Sequence, residues 1–195
     1  MEYNPRIHHR RSIRLTQYDY SQPGAYFITI CTYKKQPWFG EIRHTQMHLN
    51  QFGKIVAQEW LRTPKIRPEI ILDEWIIMPN HLHGIIIITD AVLAHQQASH
   101  EPSQSESSQF CRKSYSIPSI IAGFKSATTK QVNERRETPK IPLWQRNYYE
   151  SVVLNFDKLD GVRDYIKNNP FNWYQDSENW QGDSIYDMSA LDLPF

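Results

Sequence analysis

The sequence is poor in cysteine: its only two, Cys31 and Cys111, lie far apart, and no Cys-x-x-Cys pair occurs. That scarcity excludes a disulfide scaffold and a thiolate zinc site, and it is typical of a reduced cytoplasmic setting. Long apolar runs are absent as well, because acids and histidines interrupt the most apolar stretch, residues 70–88. Residues 1–15 lack the apolar centre of a signal peptide. We therefore expect a cytoplasmic protein with no membrane span, whose 195 residues suffice for one domain.

A large net charge is also missing, since the formal charge is +1, but the charged residues are unevenly distributed. Residues 112–146 contain eight Lys or Arg and two acids, whereas the residues after Tyr174 contain five acids and no Lys or Arg. The basic segments predict a polyanionic partner, and a solvated basic face is the alternative. Residues 91–111 are dense in Ser and Gln and predict a surface insertion.

The apolar periodicity predicts the element order β-β-α-β-β-α-β-α, without internal repeats. The first helix begins after the cap Asn50 and is expected to end at Pro64 and Pro68. Two apolar strands follow, joined at Pro79 and Asn80. We expect an α+β fold, with an antiparallel sheet of about five strands and helices packed on one face.

The stretch MPNHLHGIIII places His81 and His83 at the head of an apolar strand. Side chains alternate faces along a strand, so both imidazoles point the same way while Leu82 points to the other side. Two neutral imidazoles on one face suit a divalent metal ion, but two ligands do not complete a site. A pair of hydrogen-bonded histidines without a metal is the alternative. Further ligands must come from elsewhere in the chain.

The last predicted helix, LDGVRDYIKNNP, carries Tyr165 and Asn169 at positions i and i+4, so the two side chains share one helix face. Most tyrosines in such positions only pack against a core. An amide oxygen can, however, complete the shell of a hard cation that two imidazoles begin. This helix is therefore the candidate source of the missing ligand.

Several pieces of the sequence together resemble a known family. MPNHLHGIIII resembles the HUH motif (His, bulky hydrophobic, His) of single-strand DNA endonucleases, and DYIKNNP resembles the single catalytic tyrosine helix in the transposase branch of that superfamily. More narrowly, RRSIRLTQYDYSQPGAYFITICT, GFKSATTKQVN, LWQRNYYESVV and YIKNNPFNW are similar, in this order, to the REP-associated tyrosine transposases. The likeness runs from Arg10 to Trp173. The Ser/Gln-rich insertion has no counterpart, and Asn169 stands where insertion-sequence relatives often carry Gln.

The resemblance implies a ferredoxin-like, RRM-like fold and a metal-dependent transesterification of single-stranded or hairpin DNA. His81, His83 and Asn169 would hold Mg²⁺ or Mn²⁺, which polarises the scissile phosphate. Tyr165 would attack phosphorus, expel the 3′-hydroxyl and leave a 5′-phosphotyrosine intermediate. Because this link conserves the energy of the phosphodiester, rejoining needs no nucleotide cofactor. The implied role is DNA transposition, or a domesticated processing of palindromic-repeat hairpins.

We expect a basic arm (residues 1–20), a tyrosine transposase domain (residues 21–175) that includes the insertion, and an acidic tail (residues 176–195). For the tail, docking across the active site and packing behind the helices both remain open. A monomer is favoured over a dimer. The residues predicted to contact DNA are basic side chains of the arm and of the segment before the last strand: Arg10, Arg11, Arg14, Lys125, Lys130 and Arg146.

Two other functions remain open on the sequence. A non-catalytic module that binds single-stranded nucleic acid would also have an antiparallel sheet backed by helices, although such modules display aromatic residues where this strand displays histidines. A metal hydrolase would use the His-x-His pair with water as the nucleophile. Such a hydrolase would not require Tyr165, so replacement of this residue by Phe separates it from a tyrosine transesterase.

Overall fold

The chain folds around one antiparallel sheet that carries the histidines and contacts the tyrosine helix. The computed structural model describes residues 18–91, 115–176 and 178–179. Within these residues, two short 3₁₀ turns, Tyr33–Lys35 and Trp173–Gln175, accompany the longer elements. The strands and helices are β1 (Gly24–Cys31), β2 (Gly40–Arg43), β3 (Gln46–Leu49), α1 (Gln51–Ile66), β4 (Ile70–Ile77), β5 (His81–Ile88), α2 (Ile117–Arg135), β6 (Tyr149–Val153) and α3 (Phe156–Asn168).

The main sheet has four strands in the order β4-β5-β1-β6, and every neighbouring pair is antiparallel. β1 pairs with β5 over its whole length, from Gly24 opposite Ile88 to Cys31 opposite His81. The predicted α+β class with an antiparallel sheet is confirmed. The sheet has four strands instead of about five, because β2 and β3 pair only with each other in a separate hairpin.

Helices cover both faces of the sheet. α1 and α2 pack against the face that carries Tyr26 and Leu82. α3 packs against the opposite face, where Phe27 and Ile85 meet Ile166. The expectation of helices on one face is corrected by this arrangement. Its physical cause lies in β1 and β5, which are apolar on both sides and therefore need cover on both.

Asparagine caps determine where two of the helices begin. Asn50 Oδ1 accepts hydrogen bonds from the backbone N–H groups of the first turn of α1, and Asn155 Oδ1 accepts one in α3. The prediction that Pro64 ends α1 is wrong, since the helix passes through it to Ile66. Pro64 has no N–H to donate within the helix, but it lies only two residues before the last helical residue, so the lost hydrogen bond affects only the final turn. None of the described helices is long and apolar enough to cross a membrane.

Candidate active site

His81 and His83 lie on the face of β5 that α3 covers. Both side chains are buried, with 0% and 2% of their surface exposed, and their ring centroids are 4.4 Å apart. Phe27, from the neighbouring strand β1, stacks on the His83 ring at 5.4 Å. The two imidazoles are thus held side by side on a rigid strand, as the alternation along β5 predicts.

Hydrogen bonds to the Nδ1 atoms orient both rings. Asn80 Oδ1 can only accept, so it receives the Nδ1–H of His81 over 2.8 Å and leaves Nε2 with its lone pair. His83 Nδ1 lies 2.8 Å from Thr29 Oγ1, which directs its Nε2 toward Tyr165. Burial lowers the pKa of His83 to about 3 and also keeps the pKa of His81 well below its ordinary value. Both rings are therefore neutral at physiological pH, the state in which imidazole binds metals.

Tyr165 projects from α3 toward this pair. Its hydroxyl lies 3.4 Å from His83 Nε2, and its ring packs edge-on against both His83 and Phe27. Desolvation raises the pKa of Tyr165, and the nearby charges of Asp176 and Glu178 raise it further. The phenol therefore keeps its proton in this arrangement, with its hydroxyl next to the His83 imidazole.

Three buried polar atoms without a hydrogen-bond partner belong to His81 and to two residues that follow Tyr165 in the chain: His81 Nε2, Asn169 Oδ1 and Asp176 Oδ2. Asp176 Oδ2 lies 3.5 Å from His81 Nε2. One donor atom each from His81, His83 and Asp176 lies within 4.8 Å of the other two, so these residues could hold one metal ion. Desolvation raises the pKa of Asp176 to about 6. The Asn169 amide also lies close enough to influence the pKa of His81, Tyr165 and Asp176.

The first residues of the predicted acidic tail contact this site. We call Asp176, Glu178 and Asn179 the acidic strap. Glu178 Oε2 lies 3.1 Å from Lys35 Nζ and accepts a hydrogen bond from the Cys31 thiol. Asn80 Nδ2 donates to the Glu178 backbone carbonyl over 2.6 Å. The remainder of the tail, from residue 180, lies outside the described residues.

Sequence reasoning missed Asp176 and Lys35 as members of the site. Asp176 stands seven residues after Asn169, and an acid so soon after the helix of the predicted ligand is the signal that could have indicated it. Lys35 follows β1, and no pattern in the sequence links it to the His-x-His motif. Lys35 lies near the histidines because β1 pairs with β5. That pairing sets Cys31 opposite His81, and Lys35 follows Cys31 by four residues.

The structure brings part of the predicted DNA-binding set together. Lys125, Lys130 and Arg146 line one shallow groove between α2 and the loop before β6. Lys125 Nζ donates to the carbonyls of Gln145 and Asn147, so this lysine fixes the loop, whereas the Lys130 side chain is 77% exposed. Arg10, Arg11 and Arg14 lie outside the described residues, as does the insertion from residue 92 onward.

Comparisons with known proteins identify a close relative in sequence and a solved structure with a similar fold. No family model matches the chain. A protein of Haemophilus influenzae, described only as uncharacterized, is 42% identical over 177 residues, which cover 90% of this chain and 96% of that protein. A solved structure described as a REP-associated tyrosine transposase bound to a REP hairpin has a TM-score of 0.54 at 16% identity, covering 93% of this chain and 96% of the other. At this identity the likeness concerns the fold, and the predicted resemblance in fold is confirmed.

Proposed function

This chain belongs to the same family as the Haemophilus influenzae protein and has the fold of the REP-associated tyrosine transposase, and on that basis we propose that it is a metal-dependent single-strand DNA transesterase. We propose hairpin DNA with an unpaired flank as its substrate, because the structural relative binds a hairpin. The reaction would serve transposition or the processing of repeated hairpins.

The convergence of Tyr165 with unpartnered donor atoms carries this proposal. Buried polar atoms without partners are costly, and a metal ion would satisfy the three found here, one on the His81 imidazole and two on Asn169 and Asp176. Nitrogen atoms of His81 and His83 with oxygen atoms of Asn169 and Asp176 form a donor set that fits Mg²⁺ or Mn²⁺. Such an ion, when bound, would polarise the scissile phosphate and offset charge in the transition state.

Tyr165 is the proposed nucleophile. Its phenol oxygen forms a bond to phosphorus while the bond from phosphorus to the 3′ oxygen breaks, so the 5′ end remains on the tyrosine and a 3′-hydroxyl leaves. The phenol gives up its proton, and the departing 3′ oxygen gains one. Phe27 and His83, which stack on each other, both pack against the phenol ring and so help to fix the direction of attack.

The basic groove offers a path for the DNA backbone. Gln145, which lines it, donates its backbone N–H to the Cys31 carbonyl over 2.9 Å, and Cys31 is paired with His81. The groove therefore adjoins the end of the sheet where the site lies. Exposed Lys130 and Arg146 are its proposed phosphate contacts, and the arm residues Arg10, Arg11 and Arg14 are proposed to track the hairpin.

The proposal is tested by trapping the covalent intermediate. A labelled hairpin with an unpaired flank, incubated with the protein and Mn²⁺, should give a band that survives denaturant and carries the mass of the protein. Tyr165→Phe should abolish this band, and chelation of the metal by EDTA should do the same. Tyr174→Phe is the matched control, because Tyr174 lies on the following turn with 76% of its surface exposed.

The alternatives give different results in the same assay. A metal hydrolase would cut the strand without any covalent band, and its cutting would persist in Tyr165→Phe. A binding module would retain the hairpin in a native gel but leave it uncut with every metal ion. Either result would contradict the proposed transesterification.

A further inference from the structure

Lys35 is a cation in the candidate site that has no role in the proposed transesterification by Tyr165. Its Nζ lies 3.1 Å from Glu178 Oε2, and the two side chains are 27% and 8% exposed. Its charge also acts on the pKa of His81 and of Asp176, so it lies near the donor atoms as well. A positive charge this near the donor atoms would attract a DNA phosphate that approaches Tyr165.

The backbone around Lys35 is fixed from two sides. Lys34 and Lys35 both adopt left-handed conformations, with φ of 55° and 52°, which bulky residues keep only when their surroundings impose it. Asn80 Nδ2 donates to the Lys35 carbonyl over 3.3 Å and to the Glu178 carbonyl over 2.6 Å. The amide that orients His81 therefore also holds the lysine turn and the acidic strap together.

We propose that Lys35 binds a phosphate of the DNA strand at this site. In the structure without DNA, the Glu178 carboxylate occupies the place beside Lys35 that this phosphate would take. The inference rests on the proposed function, since it assumes a DNA strand in the site. Carboxylate and phosphate oxygens are equivalent partners for an ammonium group. Rotation of the Glu178 side chain would take its carboxylate away from Lys35 and make room for a phosphate oxygen, while the backbone bond from Asn80 to the Glu178 carbonyl stays in place.

The test is an equilibrium binding cycle in the Tyr165→Phe protein, which needs no cleavage. Affinity for a fluorescent hairpin with an unpaired flank is measured by anisotropy over a range of salt concentrations. Glu178→Gln keeps the size of the side chain and removes its charge, so it should bind about five-fold tighter at low salt, with a log–log salt slope steeper by about one. The double variant Lys35→Gln/Glu178→Gln should lose that gain.

Two control variants separate Lys35 from a general change in charge. Lys35→Arg/Glu178→Gln should keep the gain because the cation remains. Lys34→Gln/Glu178→Gln should keep most of it, because the neighbouring Lys34 lies over the Tyr33 ring instead of facing Glu178. A Glu178→Gln protein that binds no tighter, or a gain that persists without Lys35, would overturn the inference.

A modified substrate tests the same contact without altering Glu178. Each phosphate flanking the cleavage position is replaced in turn by a neutral methylphosphonate. At one of these positions, the replacement should weaken DNA binding several-fold in the protein that retains Lys35. The same replacement should leave DNA binding by the Lys35→Gln protein unchanged. Equal losses in both proteins at every position would contradict a Lys35 contact. Failure of the proposed function has a separate signature, the absence of a denaturant-resistant band with the unmodified protein.

Discussion

Thr29 is the residue that fixes which nitrogen of His83 faces the site. Its hydroxyl lies 2.8 Å from His83 Nδ1, and both side chains are almost fully buried. A hydrogen bond from Nδ1 to this hydroxyl leaves the lone pair on Nε2, directed toward the site. Partners of this kind orient metal-binding histidines and raise their basicity, so the contribution of Thr29 would be to the metal and not to DNA directly.

Thr29→Val is the residue-scale prediction. Valine has nearly the same shape, so packing on β1 is kept while His83 loses its Nδ1 partner. We expect the affinity for Mn²⁺ to fall by about 10- to 100-fold, measured by calorimetric titration and by the rise in melting temperature that the metal produces. Thr29→Ser keeps the hydroxyl and should stay close to the unchanged protein. Equal affinity in the valine variant would show that Thr29 does not orient a metal ligand.

At the scale of elements, a bulge in β4 attaches the tyrosine helix to the sheet. The register of β4 against β5 shifts between Leu72 and Trp75, so Asp73 and Glu74 leave the regular pairing. Arg163 Nε donates to Asp73 Oδ1 over 2.9 Å, and Lys167 Nζ lies 3.5 Å from Glu74. These two cations are one turn apart on α3, with Tyr165 between them in the sequence, so we expect the bulge to help hold α3 in the position that brings Tyr165 to His83.

Asp73→Asn tests this attachment. Hydrogen bonding from Arg163 lowers the pKa of Asp73, so ionised Asp73 stabilises the fold above its ordinary pKa, and this stabilisation disappears as pH falls through the lowered value. The variant should therefore melt at a lower temperature than the unchanged protein at pH 7, and the difference should shrink below about pH 4. Because α3 is held less firmly, covalent adduct formation should slow by about ten-fold.

Asp160→Asn is the matched control for that variant. Asp160 also accepts a hydrogen bond from Arg163, over 2.8 Å, but it lies on α3 itself and its side chain is 72% exposed. Its loss removes a contact within the helix and leaves the link to the sheet intact. A rate in Asp160→Asn as low as in Asp73→Asn would show that the link to β4 does not position Tyr165.

The elements differ in how far the sequence could predict them. The apolar runs of β1 and β5 and the spacing of α3 determine strands and helices locally, and the His-x-His alternation needs only the strand period. The position of α3 on the far face depends on non-local packing and was not predictable from local spacing. Asp176 reaches the site because Trp173 packs its ring near His81 and turns the chain back, a long-range contact without a local signature.

At the scale of the whole molecule, one copy of the chain contains every group of the candidate site. His81 and His83 come from β5, Tyr165 and Asn169 from α3 and its end, and Asp176 from the strap that follows. The Tyr165 hydroxyl meets His83 Nε2 of the same copy at 3.4 Å. The tyrosine helix and the histidine strand therefore need no exchange between subunits to meet.

A mixing experiment tests whether one copy is sufficient. His81→Ala retains Tyr165 and Tyr165→Phe retains both histidines, so exchange of α3 between copies would rebuild one complete site in an equimolar mixture. We expect no denaturant-resistant adduct from the mixture, because each site is assembled within its own chain. The unchanged protein should form adduct at a rate per chain that does not depend on protein concentration. Adduct recovered in the mixture, carried by the His81→Ala chain, would mean that the helix of one copy serves the histidines of another.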